Sequence, residues 1–113
     1  MSEIEVVAGI NKVLEKLLGE ENQKRFKKWN KSIAFTFKDL GKTWTTTLTA
    51  GVPNDLEEKM IDKSIKYDIQ VFTDPETWIG IIQKEIKALS AVTSGKLKIK
   101  GKMTDLLKLK RVM

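Results

Sequence analysis

The sequence predicts an α+β domain in which helices cover one face of a mostly antiparallel sheet. The chain has 113 residues, which suffices for a single domain with one hydrophobic core. Apolar residues recur every three or four positions near both ends of the chain and at every second position in between. All the strand patterns except one late strand form a contiguous block ahead of the last helices, an order typical of α+β domains.

Two amphipathic helices are predicted at the start of the chain. Residues 3–18 carry an apolar stripe at helical spacing, formed by Val6, Val7, Ile10, Val13, Leu14, Leu17 and Leu18. Gly19 ends this helix, and a second short helix follows that buries Phe26 and Trp29.

The apolar period then changes from helical spacing to two, which predicts a β-hairpin. Ile33, Phe35 and Phe37 share one face of the first strand, and Trp44, Thr46 and Leu48 share one face of the second. A "DLGK" turn joins the strands. Because no base accompanies the threonine run, we interpret it as β-branched strand residues rather than as nucleophiles.

Three further strands and two helices are predicted after the hairpin. Strand candidates cover residues 58–64 and 67–73, and a helix then runs over residues 75–92 with a break near residues 83–86. Asp74 is suited to cap this helix, with Pro75 at its first position. Residues 96–100 form the last strand and residues 103–112 the last helix; the helical crossover allows this strand to run parallel to a neighbour.

The composition excludes several classes of function. The chain contains no cysteine and no histidine, which removes disulfides, thiolate nucleophiles, Cys/His zinc sites and imidazole bases. The carboxylates show no catalytic or metal-loop spacing, and no glycine-rich phosphate motif is present. We therefore expect one non-enzymatic domain over residues 1–113, without metal or cofactor. The lack of cysteine and of a leader or membrane-spanning segment favours a cytoplasmic location.

The stretch "SGKLKIKGKM", residues 94–103, alternates lysine with apolar residues. In a strand, Lys96, Lys98 and Lys100 share one face, and Leu97 and Ile99 share the other. Nucleic-acid binding requires lysines interleaved with exposed aromatic rings. Nearly all aromatic residues here fall on predicted buried faces, and arginine supplies only two of the 21 basic residues. We expect no nucleic-acid partner.

The segment "SAVTSGKLKIKGKMTDLLKL", residues 90–109, resembles the C-terminal signature of the sterol carrier protein type-two domain family. That signature is a helix, a small-residue turn, a G-K-L-K-I-x-G strand and an amphipathic helix. The order of the preceding elements also resembles the family, so the likeness covers roughly residues 3–110.

The resemblance implies a five-stranded, mostly antiparallel sheet that is covered by helices and encloses an apolar tunnel. It also implies non-catalytic binding and transfer of a fatty acid, fatty acyl-CoA, phospholipid or sterol-like lipid. The matching positions suggest that the long helix lines the tunnel, that the last strand forms its floor and that the last helix forms its lid. The residues so assigned are Trp78, Ile82, Ile86, Leu97, Ile99, Met103, Leu106 and Leu107.

Four lysines flank these positions: Lys96, Lys98, Lys100 and Lys102. We expect them to contact an anionic headgroup, such as a coenzyme A phosphate, or transiently an anionic membrane. The alternative is an accessory domain that presents lipid or acyl-CoA to a partner enzyme, or that dimerises through the apolar face of residues 78–89. We therefore expect a monomer or a weak dimer.

Overall fold

The computed structural model describes residues 3–112, which form an α+β domain. The helices are α1 (Glu3–Lys16), α2 (Glu20–Phe26), α3 (Pro75–Ile82), α4 (Ala88–Thr93) and α5 (Met103–Val112). The strands are β1 (Ser32–Phe37), β2 (Lys42–Thr49), β3 (Val52–Pro53), β4 (Glu57–Met60), β5 (Ile69–Thr73) and β6 (Leu97–Lys100). The predicted α+β class with a mostly antiparallel sheet is confirmed.

The strands form one sheet in the order β3-β2-β1-β5-β6, and β4 also pairs with β2. Strand β1 pairs with one edge of β2, and strands β3 and β4 share the other edge. The sheet therefore has five strand positions. The strand predicted over residues 58–64 is shorter than expected, because the Asp62 carboxylate accepts hydrogen bonds from the Ser64 N–H and hydroxyl and turns the chain.

The parallel pair of the sheet lies in its centre. Strand β5 runs parallel to β1, whereas β6 runs antiparallel to β5. The sequence left open that the last strand runs parallel to a neighbour, and this possibility is wrong. The chain instead crosses from β4 to the far side of β1 through residues 61–68. Asp68 secures this crossing, because its carboxylate accepts hydrogen bonds from the Ser32 N–H at 2.9 Å and the Ser32 hydroxyl at 3.2 Å. The pKa of Asp68 is lowered, chiefly because its carboxylate accepts the hydrogen bond from the Ser32 N–H.

The two faces of the sheet differ in character. The inner face packs against the helices through a core that includes Phe35, Phe37, Trp44, Val71 and Leu97, all buried. The outer face carries mainly threonine, glutamine and lysine. The buried threonines of β2 are satisfied locally: the Thr43 hydroxyl donates to the Phe35 carbonyl, and the Thr46 hydroxyl donates to the Asn54 carbonyl.

Trp78 lies at the centre of the helix layer. It is completely buried, and its ring centroid lies 5.6 Å from that of Phe35 and 6.1 Å from that of Phe37. Its indole N–H donates to the Val6 carbonyl of α1. Helix α1 can approach this closely because Gly9 has no side chain; a Cβ there would lie 2.8 Å from the indole nitrogen. No helix among residues 3–112 is long and apolar enough to cross a membrane.

Asp74 caps helix α3 as predicted, with Pro75 in the first turn. Its carboxylate accepts hydrogen bonds from the Thr77 N–H at 2.8 Å and the Thr77 hydroxyl at 2.7 Å. Partial burial disfavours the charged form, but these hydrogen bonds outweigh it, so the pKa of Asp74 lies below its ordinary value.

We expect Asp74→Ala to lower the free energy of unfolding by about 1 kcal/mol at neutral pH. A carboxyl whose pKa is lowered by folding stabilises the folded state at pH values above its unfolded pKa of about 3.9. This contribution is lost as the pH falls through the folded pKa. The difference between wild type and variant should therefore shrink below about pH 4 in urea unfolding followed by circular dichroism. Asp55→Ala, in the exposed loop before β4, is the control. A difference that is constant with pH would contradict the prediction.

Candidate functional site

The predicted break in the long helix is confirmed, and it separates two of the predicted lining residues. Helix α3 ends at Ile82, Lys84 adopts a left-handed conformation with φ 62°, and the Ile86 N–H donates to the Gly80 carbonyl. The chain therefore folds back so that Ile86 packs on Gly80, where a Cβ would lie 2.5 Å from the Ile86 Cδ1.

Ile82 lies on the opposite side of α3 from Ile86, because positions 80 and 82 of a helix point about 160° apart. Ile82 faces α1. A Cβ added to Gly9 of that helix would lie 3.1 Å from the Ile82 Cγ1. A cleft of about 250 Å³ between α1 and α3 is lined there by Ile79 and Ile82, with Ala8 and Gly9 opposite. The structure thus does not bring Ile82 and Ile86 to one common surface.

Edge strand β6 separates its side chains as the sequence predicts. Leu97 and Ile99 lie opposite Thr73 and Val71 of β5 and face the helix layer. Leu97 is buried in the core, and Ile99 is half-buried against it. The Thr73 hydroxyl donates to the Lys96 carbonyl at 2.9 Å and so holds the start of β6.

Helix α5 follows β6 after the turn at Gly101 and packs against α1 and Trp29. Leu106 is half-buried against the core, and its Cδ2 would lie 3.3 Å from a Cβ on Gly101, two residues beyond Ile99. Met103 and Leu107 point outward and are 69% and 55% exposed. We call Leu97, Ile99, Met103, Leu106 and Leu107 the edge site. These predicted lining residues of β6 and α5 range from the buried Leu97, through the half-buried Ile99 and Leu106, to the exposed Met103 and Leu107.

A buried polar contact sets the rotation of α5. Asp105 is only 2% exposed, and its Oδ1 accepts a hydrogen bond of 2.9 Å from the Trp29 indole N–H. Its Oδ2 lies 3.7 Å from the Lys31 ammonium. Asp105, Leu109 and Val112 therefore form the buried stripe of α5, and Met103 and Leu107 lie on its other side.

Three of the four predicted lysines lie together on the outer face of the sheet. Lys96, Lys98 and Lys100 line a cleft of about 420 Å³, whose lining does not include Lys102. Lys102 lies just before α5, where its charge contributes to the lowered pKa of Asp68. The predicted lysine group is thus divided between the cleft and the start of the last helix.

Among the other side chains that line this cleft are Lys38, Lys63 and Phe72, which were not predicted from the sequence. Phe72 alternates with Val71 and Thr73 and so belongs to the outer face, half-buried, as an exception to the predicted burial of most aromatic residues. Strict alternation from Ile69 was the available signal. Lys38 and Lys63 reach the cleft through a turn and through the crossover, so no local pattern identifies them.

The described residues contain no group of three or more acidic side chains placed to hold a metal ion. The cleft contains two carboxylates, Asp39 and Asp74, of which Asp74 caps α3.

Together these features define an α+β domain whose helix layer leaves apolar side chains partly exposed beside an edge strand. The sequence places this domain in a family. Residues 10–113 match the SCP-2 sterol transfer family, and the chain belongs to that family.

Solved structures share the fold at low sequence identity. Palmitated SCP2L2 from Aedes aegypti, solved by NMR, superposes with a TM-score of 0.70 at 17% identity over 99% of this chain and 94% of that chain. A crystal structure of sterol carrier protein 2 gives a TM-score of 0.66 at 20% identity over 93% of this chain and 87% of that chain.

The fold also occurs within a larger protein. The sec-alkylsulfatase Pisa1 from Pseudomonas sp. matches with a TM-score of 0.59 at 20% identity over 80% of this chain. The match covers only 14% of the alkylsulfatase chain. The comparison with curated proteins gave no match.

Proposed function

We propose that this chain, acting as a single domain of residues 1–113, binds and transfers an apolar lipid without catalysing a reaction. The observation that carries the proposal is the edge site, where apolar side chains of β6 and α5 lie half-buried or exposed beside the core. Membership of the SCP-2 sterol transfer family supports this function. A cytoplasmic location agrees with such a role.

The proposed tail lies under α5 and extends toward the core. Trp78 and Leu97 are fully packed, so a long tail requires the helix layer to open. Helix α5 is the element proposed to move, since its Leu106 is only half-buried beside Gly101 and its Met103 and Leu107 are already exposed. The innermost part of the tail would then approach Trp78; Ile82 and Ile86 lie on opposite sides of α3, so at most one of them can contact the tail.

The hydrophobic effect supplies enough free energy for this mode of binding. Each buried methylene contributes ~0.8 kcal/mol, so a chain of about 15 offers roughly 12 kcal/mol before the costs of immobilisation. When the donor is a membrane, the tail leaves an environment that is already apolar. The transfer free energy is then close to zero, which suits a carrier.

The proposed ligands are a fatty acid, fatty acyl-CoA, phospholipid or sterol-like lipid. One structural relative is described as palmitated, which is a property of that protein and supports a single acyl chain here. Lys96, Lys98, Lys100 and Lys102 are the proposed contacts of an anionic headgroup or membrane surface.

Native mass spectrometry of the purified protein, with organic extraction of a parallel sample, tests the proposal. We expect an additional mass of one lipid per chain that is recovered in the organic phase. If the protein carries no lipid and also fails to bind long-chain fluorescent fatty acids in titration, the proposed function is wrong.

We expect Leu106→Trp to abolish binding of a fluorescent fatty acid, because the larger ring would occupy the position proposed for the tail under α5. Met60→Trp is the matched control, since Met60 lies on the opposite edge strand and is 76% exposed. Both variants should keep the wild-type circular dichroism spectrum. Equal probe affinity in wild type and Leu106→Trp would place the tail outside the edge site.

A second candidate is an accessory domain that presents lipid or acyl-CoA to a partner enzyme, or that dimerises through an apolar helix. The occurrence of the fold within an alkylsulfatase chain favours the accessory role. The face of residues 78–89 is divided by the helix break, with Trp78 buried and Leu89 73% exposed. Analytical ultracentrifugation distinguishes self-association through this face from a monomeric carrier.

A further inference from the structure

Five lysines converge on one cleft of the outer sheet face, which we call the lysine cleft. Its volume is about 420 Å³, within the usual range for small-molecule sites. The lysines are Lys38, Lys63, Lys96, Lys98 and Lys100. They come from the turn after β1, the crossover before β5, the turn before β6 and β6 itself. Only the fold brings these charges together.

The cleft retains a positive charge that its own residues do not neutralise. Within residues 3–112, none of these five lysines forms an ion pair. Two carboxylates, Asp39 and Asp74, share the lining, and the charge of Lys96 helps to lower the pKa of Asp74, so five positive charges face two negative ones. Asp62 of the adjoining cavity of about 350 Å³ adds one more negative charge nearby, which still leaves an excess of positive charge. Such a site favours an anion with more than one negative charge.

An aromatic ring lines both cavities. Phe72 lies between Thr36 and Lys98, its partners on the neighbouring strands, and is half-buried. The Lys100 ammonium lies 5.3 Å from the centre of the ring. If the Lys100 ammonium moves from the ring to a phosphate, the exposed part of the ring becomes free to stack on a planar group.

The shape of the cleft favours a small ligand over a membrane. Ile61 and Lys63 of the crossover form one side, and Lys38 and Lys96 lie on other segments around the same space. The lysines therefore surround a concave site, whereas a flat anionic surface contacts charges that project from a convex one.

We propose that the lysine cleft binds the nucleotide part of a phosphorylated ligand, with the phosphates on the lysines and the base on Phe72. The inference rests on the proposed function in that it names the anionic group that Lys96, Lys98 and Lys100 contact. The ligand is either a free nucleotide or the nucleotide end of an acyl-CoA.

Isothermal titration with ATP and with inorganic tripolyphosphate, at about 0.15 M salt and without divalent metal, tests the inference. The double variant Lys98→Gln/Lys100→Gln should lower the affinity for both ligands at least about tenfold. Phe72→Leu should weaken ATP roughly tenfold and leave tripolyphosphate unchanged, because only ATP carries a base. Lys27→Gln/Lys28→Gln removes the same charge from exposed positions near the end of α2 and should change neither affinity.

Three results would overturn the inference. One is that wild type fails to bind ATP while it binds vesicles containing an anionic phospholipid, which would indicate a membrane surface. The second is an equal loss of ATP affinity in Lys98→Gln/Lys100→Gln and in the control Lys27→Gln/Lys28→Gln, which would indicate diffuse electrostatic attraction. The third is an unchanged ATP affinity in Phe72→Leu.

Fatty-acid probe titrations on the same samples separate this inference from the proposed function. Probe binding without ATP binding rejects the lysine cleft alone, and ATP binding without probe binding rejects the lipid site alone. Palmitoyl-CoA that displaces both probe and ATP identifies acyl-CoA as the source of the nucleotide. Displacement of ATP alone indicates a free nucleotide, and either pattern supports the cleft.

Discussion

Replacing Asp105 by alanine is expected to lower the free energy of unfolding by about 3 kcal/mol. Asp105 joins the last helix to Trp29, 76 residues earlier, through a buried hydrogen bond of 2.9 Å. Alanine would leave the Trp29 indole N–H without an acceptor in a buried position. It would also remove the carboxylate that lies 3.7 Å from the Lys31 ammonium.

Asp105→Asn separates the hydrogen bond from the charge. Its amide oxygen can still accept from Trp29, and the Asp105 Oδ2 accepts no hydrogen bond within the described residues. We therefore expect a smaller loss than for alanine. Urea unfolding measures both differences, and hydrogen exchange should show faster opening of α5 in Asp105→Ala. A loss below about 1 kcal/mol in the alanine variant would mean that the contact contributes little.

Replacing Gly51 by alanine is expected to cost roughly 2 to 5 kcal/mol. Gly51 has φ 77°, and a Cβ there would lie 2.5 Å from the Phe26 carbonyl oxygen. That oxygen belongs to the backbone at the end of α2, so it cannot rotate away as a flexible side chain would. The Gly51 N–H also donates to the Trp29 carbonyl at 2.9 Å, so this turn holds α2 against the sheet.

Ala50→Gly is the converse test in the same turn. Ala50 is exposed and also has a positive φ, 53°, which a residue with a Cβ adopts at a cost of about 1 to 2 kcal/mol. Glycine removes this strain, so we expect Ala50→Gly to be neutral or slightly stabilising in thermal and urea unfolding. If both substitutions lowered stability equally, the strain and the steric contact would not explain the role of Gly51.

The candidate site was predictable where it depends on local alternation. Leu97 and Ile99 face the helix layer, and Lys98 and Lys100 face outward, as the spacing of the strand requires. The positions on α5 were less predictable, because the helix has two apolar stripes. One contains Met103 and Leu107 and the other contains Leu109 and Val112, and both satisfy helical periodicity.

Local spacing alone was enough to establish most of the helices and strands, the cap at Asp74 and the two faces of β6. These features depend on residues a few positions apart, whose geometry the backbone imposes. The rotation of α5, the parallel pairing of β1 with β5 and the convergence of Lys38, Lys63 and Lys98 depend on contacts between distant segments. Only the packed chain determines them, because many arrangements satisfy the same local pattern and the buried contacts select one.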